Sequence, residues 1–392
     1  MDLQLESDQI YLNDLNTEGF ARMLNDPSQC YKFYWLEAIL KLIAVSDEDL
    51  KFDQIINEMI YEAWYSVTRY HLRLGPTIKG KSENFLEHAV LTASKDPLLP
   101  QPATKEEILK AIDRQDRSIS KDKKGLANYV PYRLLSSFLD NIKGNDKLWD
   151  QRGRLIAYIN KFSESNNILY TIIDGRGLEK RVHVNKYWKE LIMDNYPVII
   201  SWIQLKKIHF LQDRNPGVPG IIYKLSPENE NSRKVIHARE LWKIAAEAKQ
   251  FPICDIYSGN VLDMQRFDLD HFIPWSYLAN DELWDLTPME GSLNSSKHNG
   301  LPEWNLYFNG FATQQYRLYK LIFSNGIIRK QFEKCRRDNV NTIWASESLY
   351  IEGNSAEQFK NIMERNMKPL YDSAHLQGYE YWKHSDKAQL GI

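Results

Sequence analysis

The sequence predicts a mainly α-helical protein that carries one small α+β module. Segments with apolar residues on one helical face fill most of the chain, β-rich runs are few and short, and one polar motif lies within a strand, loop, strand and helix pattern near residue 270. At 392 residues the chain is too long for one ordinary core. We therefore expect a helical N-terminal domain, a hairpin with connecting helices, the α+β module and C-terminal helices packed on that module, over residues 1–165, 166–250, 251–305 and 306–392.

Composition limits the class of protein. Hydrophobic residues make up 43% of the chain and charged residues 26%, as in soluble globular proteins. No apolar run is long enough for a membrane span, and the first residues lack the pattern of a signal peptide. The three cysteines, Cys30, Cys254 and Cys335, are far apart and form no CxxC pair, so neither disulfides nor a structural zinc site is expected. These features predict a cytoplasmic protein that does not bind membranes.

Charge is distributed unevenly along the chain, although the net charge is only −2. Residues 1–100 contain nine Lys and Arg against sixteen Asp and Glu, whereas residues 105–161 contain thirteen against eight. A basic middle segment can provide a phosphate-binding face, but ordinary solvated helix surfaces give the same pattern.

Helices are expected at residues 30–43, 52–72 and 102–115, and Thr104 and Glu107 form the spacing of a capping box at the start of the third. Residues 118–139 are predicted as a basic loop that leads into an apolar segment. Two β-rich runs within 168–184 flank a glycine-containing turn and predict a hairpin. Within 185–220 one long helix is predicted, capped by Asn185, kinked near Pro197 and ending before Asn215-Pro216-Gly217. Another is predicted at 235–250.

The most informative stretch is FDLDHFIPWSYLANDELWDLTPMEGSLNSSKHNGLP, residues 267–302. It predicts a strand that ends at Asp270 and His271, a second strand at 282–288 and a short helix at 291–299. Phosphodiester hydrolysis needs a base for the attacking water and a cation for the developing charge. Asp270 and Asn294 are oxygen ligands of the kind that Mg²⁺ or Mn²⁺ prefers. His271 points to the other strand face and has the side chain suited to a general base.

Lys297 follows Asn294 by three residues, so both can share a helix face and the lysine could hold a phosphate. This segment resembles the HNH endonuclease family, whose ββα-metal fold consists of one hairpin and one helix. The resemblance rests on Asp-His-x-Ile-Pro, Asn-x-x-Lys and the Gly-Leu-Pro that follows. It implies that His271 is the general base, that Asp270 and Asn294 bind the metal, and that Asp285 stands at the family's middle position. The catalytic set it predicts is thus His271, Asp285 and Asn294.

The chain departs from the family pattern at two points. The middle position is usually Asn, which is thought to brace the loop that carries the histidine, and Asp285 lacks the amide donor. Many such modules are also held by a CxxC-type zinc site, whereas Cys254 stands alone, so hydrophobic packing through Phe267, Trp275 and Trp284 must hold this hairpin. His298, one helical turn after Asn294, is a further metal candidate, with an exposed helix-end histidine as the alternative.

The resemblance implies a metal-dependent endonuclease that cuts DNA, with antiphage defence or restriction as its setting. RNA as the substrate stays open. The alternative is a degenerate module, marked by Asp285, that binds nucleic acid or protein without cutting. One such site cuts one strand, so a double-strand break needs a homodimer or two successive cleavage events by one monomer. The N-terminal domain is expected to supply a partner interface or to receive an activating signal.

Overall fold

A computed structural model describes residues 3, 5, 14–25, 27–76, 83–139, 142, 146–162, 168–173, 175–225, 234–248 and 252–384. Helices dominate it and the sheets are small, which confirms the predicted fold class. The chain divides into two compact units, Met1–Pro216 and Gly217–Ile392. The finer division into four segments stays a prediction. Within the described residues, no helix is both long enough and apolar enough to cross a membrane.

The first unit is a set of helices with one three-stranded sheet. Its helices are α1 (Thr17–Arg22), α2 (Tyr31–Ile43), α3 (Phe52–Thr68), α4 (Phe85–Ala93), α5 (Lys105–Arg114), α6 (Asp116–Leu134), α7 (Asp146–Asp150), α8 (Arg152–Phe162), α9 (Lys186–Asp194) and α10 (Tyr196–Arg214). The predicted helices at 30–43 and 52–72 correspond to α2 and α3. The capping box is confirmed, because Thr104 Oγ1 accepts from the backbone N–H of Glu107 and the Glu107 carboxylate accepts from that of Thr104.

The predicted hairpin is also confirmed. Strand β2 (Tyr170–Ile173) pairs antiparallel with β3 (Arg181–Val184), with Tyr170 opposite Val184. A third strand, β1 (Leu50–Lys51), adds to the other edge of β3. The pattern had not predicted β1, because two residues are too few for a periodic signal.

The predicted basic loop at the start of 118–139 is wrong, since residues 116–134 form the continuous helix α6. Ile119, Leu126 and Val130 bury one side of this helix. Lys123 is buried as well, and its ammonium donates to Asp53 and Asp116 at 2.9 and 2.6 Å. The apolar stripe of α6 lies among many charged residues, and for this reason the sequence pattern indicated a loop.

The long helix predicted at 185–220 is two helices. Asn185 caps α9 as expected, its side chain accepting from Tyr187 N–H at 2.9 Å. The chain then leaves helical geometry at Asn195, and Pro197 lies in the first turn of α10. Proline lacks the N–H that would continue the helical hydrogen bonds across this point, so the expected kink is a complete break.

The second unit contains the α+β module. Its elements are α11 (Ile236–Glu247), β4 (Asp268–His271), α12 (Trp275–Leu278), β5 (Leu286–Met289), α13 (Gly291–Lys297), β6 (Leu301–Pro302), α14 (Trp304–Ser324), α15 (Gly326–Asn339), α16 (Ala356–Leu376) and β7 (Tyr381–Trp382). The predicted helix at 235–250 is α11. The predicted strand at 282–288 is shorter, because the Glu282 carboxylate accepts from the backbone of Asn341 at 3.0 Å and holds that end as a loop.

Aromatic packing joins the module to the helices that follow it. The Phe272 ring, one residue after β4, stacks on Phe311 of α14 at 4.5 Å between centroids. Trp284 packs on Trp344 at 5.0 Å. Phe267 and Trp275 are buried too, as expected for a hairpin held by hydrophobic packing. Cys254 pairs with Val261 through an isolated antiparallel β-bridge of the backbone.

Candidate active site

Strand β4 presents two polar faces. It pairs antiparallel with β5, with Asp268 opposite Met289, Asp270 opposite Thr287 and His271 opposite Leu286. Because side chains alternate along a strand, Asp268 and Asp270 share one face and His271 lies on the other. The hairpin followed by α13 gives the strand, strand and helix order that the motif predicts.

Asp270 is buried and fully engaged. One carboxylate oxygen accepts from the Lys297 ammonium at 2.9 Å, and the other accepts from the Tyr257 hydroxyl at 2.7 Å. Burial, followed by the charge of Asp270, raises the pKa of Tyr257 well above its usual value. The phenol therefore stays protonated as a donor to the carboxylate.

Lys297 is buried and points into the module. Its ammonium donates to Asp270 and, at 2.7 Å, to the backbone carbonyl of His271. Lys297 follows Asn294 by three residues on α13, but its ammonium points to strand β4. A phosphate-binding role, as predicted, requires the ammonium to leave these two partners.

His271 lies in a buried pair. Its Nε2 is 3.0 Å from Oδ1 of Asp281, and both side chains are about one-twentieth exposed, at 5% and 6%. The other Asp281 oxygen accepts from the backbone N–H of Lys234 at 2.7 Å. Asp281 thereby fixes the position of the imidazole. The sequence interpretation did not single out Asp281, since it lies ten residues away in an irregular loop.

Asp285 is completely buried behind the loop that follows His271. Its Oδ1 accepts from Ile273 N–H and its backbone carbonyl accepts from Phe272 N–H, both at 2.9 Å. Its Oδ2 is buried and has no hydrogen-bond partner among the residues that the structure describes. Burial raises the pKa of Asp285 well above its usual value. The side chain is therefore positioned to brace this loop and favours its neutral form there.

Asn294 and Asp268 form the more exposed edge of the site. Asn294 Nδ2 donates to Asp268 Oδ2 at 3.2 Å, which leaves the amide oxygen outside that bond. The Asp268 side chain is 45% exposed, and Arg239 lies 3.9 Å from its other oxygen. The sequence interpretation missed Asp268, although its place two residues before Asp270 on a strand was a usable signal.

His298 lies where α13 ends. The helix stops at Lys297, and His298 follows as an exposed residue with a positive φ of 46°. The predicted helix at 291–299 is therefore shorter by one half-turn. The structure does not place the His298 side chain on the helical face that carries Asn294, because the helical repeat has ended before it.

Asp255 ties the strand hairpin to α13. One of its oxygens accepts from Tyr257 N–H and the other from Glu290 N–H, both at 2.8 Å. Glu290 immediately precedes α13. These bonds, together with the aromatic packing, connect residues 255–257 to the start of α13.

The donor chemistry of the site fits a hard divalent cation. Asp268 and Asp270 supply carboxylate oxygens and Asn294 an amide oxygen, on one side of the hairpin and helix. Among the described residues, no group of three or more His, Cys, Asp and Glu is arranged to hold a metal.

A cavity of about 350 Å³ opens beside Asp281. Its lining includes the exposed cations Lys234 and Arg337, the amides of Asn280 and Asn341, and the carboxylate of Asp338. The His271 and Asp281 pair thus has a polar pocket next to it.

Fold and site together define a ββα module of the HNH nuclease class. In agreement, residues 255–303 match a family model described as HNH endonuclease. The matched segment includes the predicted site residues Asp270, His271, Asp285, Asn294, Lys297 and His298, and also Asp255, Asp268 and Asp281. No curated protein and no solved structure matches the chain. The family assignment therefore applies to this module, and it indicates nuclease activity.

Proposed function

We propose that the chain is a metal-dependent HNH endonuclease that hydrolyses DNA phosphodiester bonds. The observation that carries this proposal is the joint placement of Asp270, His271 and Asn294 on a strand hairpin and helix inside the segment that matches the family. Asp281 and Asp285, which hold the histidine and its loop, give further support. A module that had lost its chemistry would have no need to retain this set.

Asp270 and Asn294 would hold the ion, with Asp268 beside them. A bound Mg²⁺ or Mn²⁺ supplies electrostatic stabilisation of the charge that develops on the phosphate oxygens. His298 stays a proposed further ligand, although the end of α13 weighs against it. Asp268 and Asn294 are the partly exposed members of the site, so the substrate is expected to approach from this edge.

His271 is the proposed general base, which removes a proton from the attacking water. Asp281, with Oδ1 3.0 Å from Nε2, would orient the imidazole for this transfer. Lys297 donates to the backbone carbonyl of His271 and to Asp270 at once. It therefore fixes the spacing between the base and the ion-binding carboxylate, and its proposed phosphate contact would come from the same ammonium.

Two alternatives lead to different measurements. RNA would be cut by the same chemistry, and a degenerate module would bind nucleic acid or a protein partner without cutting. We further propose a cytoplasmic enzyme of antiphage defence or restriction, recruited or activated through residues 1–165. It nicks as a monomer, and a homodimer cuts both strands.

The test is a cleavage panel with purified protein on supercoiled plasmid and on RNA of matched sequence, with Mg²⁺, Mn²⁺ or EDTA. We expect metal-dependent nicking of the plasmid. Calorimetric titration of Mg²⁺ into the wild type and Asp270→Ala accompanies it, and only the wild type should bind the ion. A protein that binds no ion and cuts neither substrate would refute the proposal in favour of the degenerate module. Cleavage of RNA alone would reassign the substrate.

A further inference from the structure

Three cations lie in a row on the exposed face of α6 in the first unit. Arg117, Lys121 and Lys124 are four and three residues apart, so they lie on one helical face, and all three are exposed. At a rise of about 1.5 Å per residue, the row extends for about 10 Å along the helix. That length is comparable with a few nucleotides of an extended strand.

Within the described part of the chain, no counter-charge is paired with this row. Among the residues that the structure describes, none forms an ion pair or a hydrogen bond with these three side chains. The two acidic residues of α6 are engaged elsewhere, Asp116 with Lys123 and Asp122 with His88. Two other exposed lysines of this unit, Lys110 and Lys186, do have carboxylate partners. Like charges one turn apart repel each other, so the fold itself gains nothing from this arrangement.

A cavity of about 590 Å³ lies at the C-terminal part of the same helix. The residues around it include three aromatic rings, two cations and one carboxylate: Tyr31, Phe85, Tyr129, Lys32, Arg133 and Glu83. Tyr129 belongs to α6 and is 55% exposed, which is unusual for a large aromatic side chain in a helix. Its ring has the Arg152 guanidinium 5.7 Å from its centroid. Aromatic rings beside cations are the combination that binds a base together with its phosphate.

We propose that the first unit binds single-stranded DNA along α6, with backbone phosphates on Arg117, Lys121 and Lys124 and an unpaired base in the aromatic cavity. The inference rests on the proposed function, because it assigns a binding surface for the substrate class of that nuclease. It uses only residues of the first unit, so it is tested by binding and does not depend on the cleavage chemistry.

The experiment is fluorescence anisotropy of a labelled 20-nucleotide DNA strand with the full chain, in EDTA, from 50 to 300 mM KCl. Each phosphate contact on a single strand contributes about 0.7 to the slope of log K against log salt. The variant Arg117→Gln/Lys121→Gln/Lys124→Gln should therefore lose about 2 from that slope. The control Lys95→Gln/Lys110→Gln/Lys186→Gln makes the same charge change at other exposed lysines of this unit, and its slope should match the wild type.

Tyr129→Ala tests the cavity, and it should weaken the strand's binding about fivefold or more while duplex DNA is bound as before. An unchanged slope in the α6 variant, or an equal loss in both triple variants, would overturn the proposal. Wild-type affinity in Tyr129→Ala would overturn its base-binding part. Plasmid nicking is measured on the same protein preparations in Mg²⁺ without EDTA. Nicking together with an unaltered slope in the α6 variant refutes this inference alone. A slope that falls as expected, in a protein that binds no Mg²⁺ and cuts neither plasmid nor RNA, refutes only the nuclease proposal.

Discussion

Removal of the Lys297 ammonium is expected to destabilise the second unit strongly, since Asp270 is buried and depends on that ammonium. In Lys297→Met the Asp270 carboxylate keeps, among the described residues, the Tyr257 hydroxyl as its donor, and the hydrogen bond from Lys297 to the His271 carbonyl is lost too. The side chains of the pair are 0% and 4% exposed, so solvent cannot replace the lost charge. Breaking a buried ion pair from one side costs about 3–5 kcal/mol.

This loss can be converted to a melting temperature. A domain of the size of residues 217–392 changes by about 2–4 °C per kcal/mol, so the melting transition of this unit should fall by about 6–20 °C. Differential scanning calorimetry in EDTA provides the measurement. The matched control is Lys368→Met, which removes an exposed lysine paired with Asp372 in the same unit and should cost about 1 kcal/mol or less.

A double variant and the addition of Mg²⁺ make the reasoning testable. Asp270→Asn/Lys297→Met removes both charges and should recover most of the stability. Mg²⁺ should recover part of it in Lys297→Met, because an ion that binds Asp270 stabilises the folded state, but not in the double variant. A Lys297→Met protein that melts with the control would refute the account of this pair. Equal effects of Mg²⁺ on the single and double variants would refute metal binding by Asp270.

Three other predictions concern buried charges. The pKa of Asp285 is raised in the folded protein, so the cost of ionising its buried carboxyl is absent below about pH 4, the pKa of an unfolded aspartate, and grows as the pH rises toward the folded pKa. Asp285→Asn should therefore make thermal stability depend less on pH between pH 5 and 8. A variant that is destabilised relative to the wild type more at pH 8 than at pH 5 would contradict this. Burial lowers the pKa of Lys224 to about 7, so the cost of burying its charge is full below pH 7 and disappears toward pH 10. In urea unfolding, the free energy of unfolding of the wild type should rise by about 3 kcal/mol relative to that of Lys224→Met between pH 7 and 9.5. Parallel plots of unfolding free energy against pH for the two proteins would contradict this prediction. Burial alone would raise the pKa of Glu37, but the ammonium groups of Lys207 and Lys41 outweigh burial and lower it; Glu37→Gln should cost the first unit about 3–5 kcal/mol in urea unfolding, and a loss below 1 kcal/mol would show that the pair is not needed.

Regular elements with a clear period were predictable from the sequence. The helices α2, α3 and α11, the hairpin of β2 and β3, and the order of strand, strand and helix around His271 all follow from local patterns. The errors occurred where local patterns compete. In α6 a dense run of charges obscured the apolar stripe, and at Asn195 a single proline determined whether two helices were continuous.

For the site, the sequence predicted the residue types and missed their directions. The spacing of Asn294 and Lys297 suggested a shared helix face toward the substrate, yet the Lys297 ammonium is buried against Asp270. That direction depends on how α13 packs on β4, which no spacing within one helix determines. Asp281 was out of reach for a similar reason, since its contact with His271 arises from the path of an irregular loop.

The most direct test of the central claim is the initial rate at which the purified protein nicks supercoiled plasmid in Mg²⁺, compared between the wild type and His271→Ala. Loss of a general base should lower this rate by about 10²- to 10⁴-fold, and EDTA should abolish it in both proteins. His237→Ala, at a surface position of α11, is the control and should retain the wild-type rate. Nicking by His271→Ala at the wild-type rate would contradict the assignment of this module as the active site.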